Sequence, residues 1–504
     1  MLLIYHFLNV MVVKKTKYIA EIFLFAFVTL IFLYKLDYHY FFTDEILYVQ
    51  RGIEQIDGTF DDTLQVPPLV KYIAGAVAVL FNENIYLMRF VFALAGIASA
   101  AILYLIVKRE FGKSLGILAV LTYCTSRIIF DSSRMVMLEP FMHLFWLGFH
   151  YFYYQTFTNN KTKLYIYSGI LIGLALTVKV TSLLLLLFIS LGFIYKTINR
   201  TDSFKSLFKN YLIMGVFSGA VVALTYLHMF VKKGFMLSVV ETLKSIRNVY
   251  MDKSSEGKTH VIGNVVYEKS PWWAYFYYHF DLNGLARSIV YPVFLIVALV
   301  KRNFFVTYWF VFLVITFMFH QFSGVKNVRY FSSVELSLII LFIAGFYRFC
   351  SFIKSKNKIL IAKITLLVIL MLPFVCYLKN LKPTEYLGLY IYFKEETADF
   401  TKYKRLYVFG SVRSMKWYRD MVPDKNMFIY RRDYEIMCSE FGNFDYFAFD
   451  RQELMKDPDN LLYKFVKDNS YSFEKVNDVS DMDVYKKVTP IEQEFECPVL
   501  EVYK

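Results

Sequence analysis

An adjacent pair of acids, Asp44 and Glu45, is the part of the sequence best suited to acid–base chemistry. The pair follows an apolar run, Tyr18 to Tyr34, that is long enough at about 1.5 Å per residue to cross most of a bilayer core of about 30 Å. Carboxylates at a membrane surface are costly to keep charged, which favours a functional interpretation, such as accepting the proton of a hydroxyl. The structural alternative is that Thr43 and Asp44 begin a helix whose N-terminus favours acids.

Basic residues recur at the ends of later apolar segments, on the same outer side of the membrane as the acidic pair. Taken alone, Arg134 and Glu139 could form an ion pair at a helix end, and Lys179 could extend its ammonium group toward the interface. Lys326 and Arg329 are predicted on the outer side, where the positive-inside rule disfavours cations. A bound anion would explain why they are there. Together these residues predict a phosphate-binding place that faces a carboxylate base at the membrane edge.

The composition is that of a polytopic membrane protein. Of 504 residues, 57% are hydrophobic and 19% aromatic, whereas only 19% are charged, which lies outside the range of soluble globular proteins. The net charge of +14 could suggest nucleic acid, but Lys and Arg occur in short clusters between apolar runs instead of on one basic face. That pattern indicates membrane topology and contact with anionic membrane lipids, so no nucleic-acid partner is expected.

Apolar runs predict about eleven transmembrane helices, and the charge of the loops predicts their orientation. The runs lie near residues 18–34, 85–107, 114–130, 135–155, 164–178, 180–195, 211–231, 288–300, 304–320, 334–349 and 359–378. A further run from Pro68 to Phe81 would place the basic loops outside if it crossed, so we interpret it as a re-entrant or interfacial helix that begins at its prolines. The chain is then a multi-pass protein of the cell membrane with a cytoplasmic N-terminus. Lys14, Lys15 and Lys17 precede a first span that lacks a cleavage site, which predicts a signal anchor.

Two domains are predicted. Residues 1–378 form the membrane-embedded domain, and residues 379–504, which are charged and broken by Pro, Gly, Asn and Asp, form a small extracytoplasmic α/β domain. Strands are expected at Arg405–Phe409, Asn426–Tyr430, Tyr446–Phe449 and Val499–Tyr503, and helices at Ser411–Met421 and Asn460–Lys467. This tail contains no phosphate-binding loop and no metal-ligand spacing. Cys438 and Cys497 share it and could pair in an oxidising compartment.

Five short motifs resemble those of the protein O-mannosyltransferases and their relatives in glycosyltransferase family 39. Asp44-Glu45 matches the Asp-Glu of the family's first external loop. Pro67-Pro68-Leu69-Val70-Lys71 resembles its His-Pro-Pro-Leu-x-Lys motif, with Val66 in place of the usual His. The stretch from Ser133 to Pro140 resembles its Arg-x-x-x-Leu-Asp turn, with Glu139 in place of Asp.

The remaining two motifs follow in the same order as in the family. The stretch from Gly173 to Lys179 is similar to Gly-Leu-Ala-x-x-x-Lys, and Ser270-Pro271-Trp272-Trp273 resembles the Pro-Trp that precedes a late span. The resemblance covers most of residues 18–350. Each motif is weak alone, and the specific signal is that all five occur in order with matching sidedness.

The resemblance implies the fold of the C-type membrane glycosyltransferases and an inverting transfer from a polyprenyl-phosphate sugar. Asp44 would be the general base toward the acceptor hydroxyl, and Glu45 would assist in placing donor or acceptor. Arg134 would hold the site together with Glu139, while Lys71 and Lys179 would approach the donor phosphate. Trp272 and Trp273 would lie at headgroup level, either against sugar or lipid or simply as an aromatic belt.

The expected donor is a lipid-linked sugar phosphate that carries mannose or another hexose, with no cofactor and no essential metal. The loop of residues 232–287 is too short for the β-trefoil domain of the eukaryotic relatives, which favours a prokaryotic or archaeal type. Because Val66 and Glu139 depart from the family pattern, the acceptor could be a protein Ser or Thr, a lipid or a glycan.

Two other classes of function remain open from the sequence. Many spans and intramembrane charges are also typical of a transporter or lipid flippase, although no paired repeats are seen. A non-enzymatic assembly factor that binds a partner through its tail domain is the third hypothesis.

Overall fold

The structure is a computed structural model, and apolar helices account for most of it. It describes residues 19–38, 43–58, 66–200, 202–250, 260–262, 265–300, 302–323, 326–381, 406–409, 428–430, 441, 444–457, 460–470, 472–476 and 482–488. Seven of the described helices are long and apolar enough to cross a membrane, and shorter apolar helices accompany them. The predicted class, a mainly α multi-pass membrane protein with a small C-terminal α/β part, is confirmed.

Most of the helices follow one another with short connections, and a longer segment separates α12 from α13. The first eight are α1 (Ile19–Leu33), α2 (Thr43–Ile56), α3 (Pro68–Leu80), α4 (Ile85–Phe111), α5 (Lys113–Cys124), α6 (Arg127–Ser132), α7 (Glu139–Gln155) and α8 (Thr162–Val178). The next eight are α9 (Leu184–Ile198), α10 (Phe204–Thr225), α11 (Leu227–Lys233), α12 (Phe235–Tyr250), α13 (Ala274–Val300), α14 (Phe304–Phe322), α15 (Ser332–Ser351) and α16 (Lys356–Lys379). Short 3₁₀ turns, Val180–Leu183 and Val328–Phe331, precede α9 and α15.

Helix α3 begins at the prolines, as the sequence predicts. Pro67 is its N-cap and Pro68 its first residue, a position where proline sacrifices no helical hydrogen bond. The helix has 13 residues, and at about 1.5 Å per residue it is shorter than a bilayer core of about 30 Å. This length fits an interfacial or re-entrant helix, while its orientation in the membrane stays a prediction.

Helices α8 and α10 approach each other closely because α8 presents glycines at the contact. A Cβ at Gly169 would collide with the carbonyl oxygen of Met214, and a Cβ at Gly173 would lie 2.7 Å from the carbonyl oxygen of Ser218. Helix α8 also packs against α7. These contacts hold the end of α8, and with it the following residue Lys179, in a defined place.

The chain forms two compact units. The first comprises Met1–Leu36, Tyr48–Glu256 and Ser270–Lys379, and the second comprises Asp37–Leu47, Gly257–Lys269 and Asn380–Lys504. The sequence suggested a division between residues 378 and 379. The structure adds two earlier segments to the C-terminal unit, one of which contains Asp44 and Glu45.

The second unit contains a mixed β-sheet. Its described strands are β3 (Leu406–Phe409), β4 (Phe428–Tyr430), β5 (Tyr446–Asp450), β6 (Phe473–Val476) and β7 (Met482–Lys487), in the order β4-β3-β5-β7-β6. Strands β4, β3 and β5 are parallel, whereas β7 runs antiparallel to β5 and β6. Helices α17 (Arg451–Lys456) and α18 (Leu461–Asp468) and a hairpin of β1 (His260–Ile262) and β2 (Val265–Tyr267) belong to the same unit.

Strands β3, β4 and β5 and helix α18 lie where the sequence predicts them, to within two residues. The sequence did not reveal β6 and β7, whose charged residues weaken the β pattern. Several predictions fall outside the described residues. They are the signal-anchor lysines Lys14, Lys15 and Lys17, the helix Ser411–Met421, the strand Val499–Tyr503, and the pairing of Cys438 with Cys497.

Candidate active site in the membrane unit

A buried ion pair joins two residues that the sequence singled out separately. Lys179 follows the end of α8 in an extended conformation (φ −149°, ψ 133°), and Glu139 is the first residue of α7. The Lys179 Nζ donates to Glu139 Oε1 at 2.7 Å, with side-chain exposures of 5% and 1%. Because water is excluded from this contact, each charge depends on the other for its stabilisation.

The 3₁₀ turn Val328–Phe331 brings a second cation and an aromatic ring to the ion pair. The Lys179 Nζ lies 4.7 Å from the centre of the Tyr330 ring, a distance typical of a cation–π contact. Arg329 lies beside Met137, with 3.2 Å between Nη1 and Sδ, and its positive charge also stabilises the Glu139 carboxylate. The structure therefore gathers three of the residues that the sequence pointed to, Glu139, Lys179 and Arg329, around the ring of Tyr330.

Two histidines complete this cluster, and sequence reasoning missed both. His143 Nε2 lies 3.0 Å from the Ser332 hydroxyl, and His320 Nε2 lies 3.0 Å from the Ser333 hydroxyl. The His320 ring also stacks on Tyr330, with 5.9 Å between ring centres. The available signal was a histidine inside an apolar span, and His143 lies four residues after Glu139, which places both on one face of α7.

Arg134 belongs to a different contact within the same unit. Its Nη2 donates to the carbonyl oxygen of Tyr34, just beyond α1, and its guanidinium lies 4.3 Å from the centre of the Phe130 ring. The side chain is buried, with a residue exposure of 1%. Arg134 thus ties the turn before α7 to the end of α1, while the ion pair of Glu139 is made with Lys179.

The other cations predicted from the sequence are also buried. Lys326 Nζ points to the carbonyl oxygens of Ser270 and Ser323, each at 3.4 Å, and burial lowers the pKa of its ammonium group. These contacts fasten Lys326 to Ser323 in its own loop and to Ser270 in the segment before α13. Lys71 is buried in the first turn of α3.

The tryptophan pair lies just before α13. Trp272 is 70% exposed, while Trp273 is partly buried. The Gln321 side chain donates to the Trp272 carbonyl oxygen at 2.6 Å. An exposed indole next to apolar helices fits the predicted position at headgroup level.

The acidic pair occupies the first turn of α2, in the segment that belongs to the C-terminal unit. Glu45 is fully buried and Asp44 is partly buried. The acids begin a helix, as the structural alternative predicted, and this does not conflict with a chemical role. Their catalytic assignment stays a prediction.

An apolar cavity of about 570 Å³ lies between α8, α9, α10, α11 and α12. A second cavity of about 220 Å³ shares Leu176, Val222, Phe230 and Val239 with it and reaches Val180, the residue after Lys179. The lining of both is almost wholly apolar. Within the described part of the chain, no group of three His, Cys, Asp or Glu residues is arranged to hold a metal ion.

Residues 65–227 match the model of the family described as dolichyl-phosphate-mannose-protein mannosyltransferase. No match was found among curated proteins.

Solved structures resemble the chain over most of its length. ArnT from Cupriavidus metallidurans bound to undecaprenyl phosphate superposes with a TM-score of 0.53 at 12% identity, over 93% of this chain and 98% of that one. Its apo form gives 0.54 at 13% identity, with the same coverage. An Archaeoglobus fulgidus oligosaccharyltransferase tethered with an acceptor peptide gives 0.51 at 13% identity, over 86% of this chain and 69% of that one. At these identities the likeness concerns the fold, and the predicted C-type fold is confirmed.

Proposed function

We propose that this chain moves a hexose from a polyprenyl phosphate to an acceptor hydroxyl on the outer membrane face. The chain is a membrane glycosyltransferase of the C-type fold, and residues 65–227 are its family 39 segment. The observation that carries the proposal is the cluster in which the buried ion pair of Glu139 and Lys179 meets the partly buried side chains of Arg329 and Tyr330. It brings two cations together, and Val180, the residue after Lys179, lines an apolar cavity. A phosphate attached to a long hydrocarbon needs both features together.

In the proposed reaction the acceptor oxygen attacks the anomeric carbon from the side opposite the phosphate. The new glycosidic bond forms while the bond between that carbon and the phosphate oxygen breaks, so the anomeric configuration inverts. The electron pair leaves with the polyprenyl phosphate, whose charge Lys179 and Arg329 stabilise. The proton of the acceptor hydroxyl goes to the carboxylate of Asp44, which acts as general base.

The other predicted residues take supporting roles in this proposal. Glu45 assists in placing donor or acceptor, and Lys71 approaches the donor phosphate. Arg134 acts by tying the turn before α7 to α1, while the carbonyl contacts of Lys326 favour a role in holding its loop. Trp272 and Trp273 face the interface, where sugar or lipid headgroups are found.

The experiment is to supply membranes that contain the protein with radiolabelled polyprenyl-phosphate mannose and to follow the label into protein, lipid and glycan fractions. We expect label in one of them, and the fraction identifies the acceptor class. Sealed vesicles of both orientations show on which face transfer occurs. Uptake of a labelled solute without any sugar transfer would instead support the transporter hypothesis.

The proposal also predicts which residues make room for the lipid chain. Gly215 and Gly219 line the larger cavity from α10, and a Cβ at either would meet no atom within 4 Å. Replacing both with Leu should leave the protein folded, because Leu is favoured over Gly in a helix by about 0.5–1 kcal/mol per residue. Filling the cavity should lower transfer from a long-chain donor about 10-fold, a loss of roughly 1.4 kcal/mol, while a short-chain donor is affected less.

The measurement is kcat/KM with long-chain and short-chain donors in parallel. Val216→Leu is the matched control, because Val216 lies between the two glycines on α10 and is 61% exposed. Equal loss with both donors, or no loss with either, would show that the isoprenoid chain does not occupy this cavity.

A further inference from the structure

A second buried polar network lies in the membrane unit, centred on Glu335 in the first turn of α15. The Glu335 side chain is fully buried. Its Oε2 lies 3.2 Å from His279 Nδ1, and its Oε1 accepts from the Ser126 hydroxyl at 2.9 Å and from Asn283 Nδ2 at 3.4 Å. The carboxylate therefore joins α15 to α13 and to Ser126, the N-cap residue just before α6.

The same network spans a break in α13. Gly284 has a left-handed, non-helical conformation (φ 79°, ψ 165°), which divides α13 into two halves. Asn283 Oδ1 accepts from the backbone N–H of Arg127 at 2.9 Å, and Arg287 Nη2 donates to the Thr125 hydroxyl at 2.7 Å. Side chains on both sides of the break are thus bound to the junction of α5 and α6, which sets the direction of the first half of α13.

That first half of α13 holds the 3₁₀ turn Val328–Phe331 at its last residue, Phe331, and holds the chain just before the turn at Lys326. The Tyr278 hydroxyl donates to the carbonyl oxygen of Lys326 at 3.3 Å. The Phe331 ring stacks on Tyr275, with ring centres 5.5 Å apart, and lies 5.7 Å from the His279 ring. Glu335 is only four residues beyond Phe331, so the carboxylate anchors this turn from α15 as well as through α13.

Holding three helices together through a buried carboxylate costs free energy. Apolar residues of similar volume would stabilise such a contact as well or better, since burying a charge costs several kcal/mol even when it is paired. Hydrogen-bonded charges have a fixed geometry, and in some proteins they specify one relative placement of the elements they join. The element placed here is the turn that carries Arg329 and Tyr330.

We infer that Glu335 is a positioning residue for donor binding: through His279, Asn283 and Ser126 it holds the turn Val328–Phe331 so that Arg329 and Tyr330 stay beside Lys179. The inference rests on the proposed function, because it assigns the donor phosphate to those three side chains. It adds a residue that touches neither donor nor acceptor.

The test is Glu335→Gln, which keeps the size of the side chain and an acceptor oxygen but removes the charge facing His279 and Arg287. We expect the KM for polyprenyl-phosphate mannose and the Kd for undecaprenyl phosphate to rise about 10-fold, with the acceptor KM unchanged. A residue that only stabilised the fold would lower the amount of active enzyme, and hence the maximal rate, without changing either constant.

Ser337→Ala is the matched control, because Ser337 is also fully buried, two residues further along α15. It should leave the donor KM unchanged. A double-mutant cycle with Tyr330→Phe adds a second readout: if Glu335 acts through the turn, the two changes should be non-additive. If Glu335→Gln does not fold, His279→Gln, which keeps the acid and removes one partner, should show a smaller rise in donor KM.

A folded Glu335→Gln variant with the wild-type donor KM, an equal rise in Ser337→Ala, or strict additivity in the cycle would overturn the inference. So would an unchanged donor KM in His279→Gln when that variant has to be used. None of these results affects the proposed function, which is decided separately by whether the wild-type protein transfers sugar at all.

Discussion

Replacing Asp44 with Asn is expected to lower the turnover number of sugar transfer by at least about 100-fold, the lower end of what a general base contributes. Asparagine keeps the shape of the side chain and its ability to begin α2, but its amide cannot take the proton of the acceptor hydroxyl. The protein should fold normally, because Asp44 lies in the first turn of α2, where losing the negative charge forfeits at most about 1 kcal/mol of interaction with the helix dipole. The measurement is single-turnover transfer from polyprenyl-phosphate mannose in purified, detergent-solubilised protein.

Asp57→Asn is the matched control for this experiment. Asp57 directly follows α2 and is exposed, so the same chemical change there should leave turnover within about 2-fold of the wild type, since surface substitutions away from a site have small effects. Full activity in Asp44→Asn would remove Asp44 as the base. Loss of activity accompanied by loss of the folded state would instead assign it the helix-starting role.

The second large effect is expected at the ion pair of Lys179 and Glu139. Lys179→Met leaves the Glu139 carboxylate buried without the cation that donates to it at 2.7 Å. Breaking a buried pair in this way costs about 3–5 kcal/mol of the free energy of unfolding. Transfer should also fall, because the donor phosphate loses one of the cations that stabilise its charge.

The double variant Glu139→Gln with Lys179→Met separates these two consequences. With no uncompensated charge left in the core, most of the lost stability should return, as it does when buried pairs are replaced together by neutral groups. Transfer should not return, since the cation is still missing. Thermal unfolding and transfer are therefore measured on the same three proteins: the single variant, the double variant and the wild type.

Lys108→Met provides the comparison for an ion pair that is not fully buried. Lys108 lies 3.6 Å from Glu21, with side-chain exposures of 38% and 12%, and its loss should cost no more than about 1 kcal/mol. A double variant at Lys179 and Glu139 that recovers both stability and transfer would show that the pair is structural only. A Lys179→Met protein as stable as the wild type would contradict the buried-pair argument itself.

The candidate site is assembled from helix ends and not from helix interiors. Glu139 begins α7, Lys179 follows α8, and Arg329 and Tyr330 lie in the turn before α15. In an apolar bundle these ends are where backbone groups and charged side chains can be placed without interrupting the helices. The scaffold helices then fix the distances between them, as the glycine contacts of α8 with α10 illustrate.

What the sequence by itself determined was local. Runs of apolar residues specified the helices, because a chain in a bilayer must satisfy its backbone hydrogen bonds within each segment. Pro67 and Pro68 marked the start of α3 to the residue. Charges at the ends of apolar runs also pointed to Glu139, Lys179 and Arg329. A charged side chain beside hydrocarbon costs free energy, which indicates a functional or structural role.

Only the tertiary structure decided which of these residues meet. Glu139 is five residues from Arg134 but pairs with Lys179, which is 40 positions away. The candidate roles of His143, His320 and Glu335 follow only from their neighbours on other helices. No sequence pattern indicates that Asp37–Leu47 and Gly257–Lys269 belong to the same unit as the tail. The physical reason is that hydropathy and helix propensity act within a few residues, whereas the partner of a buried charge is chosen by how whole helices pack.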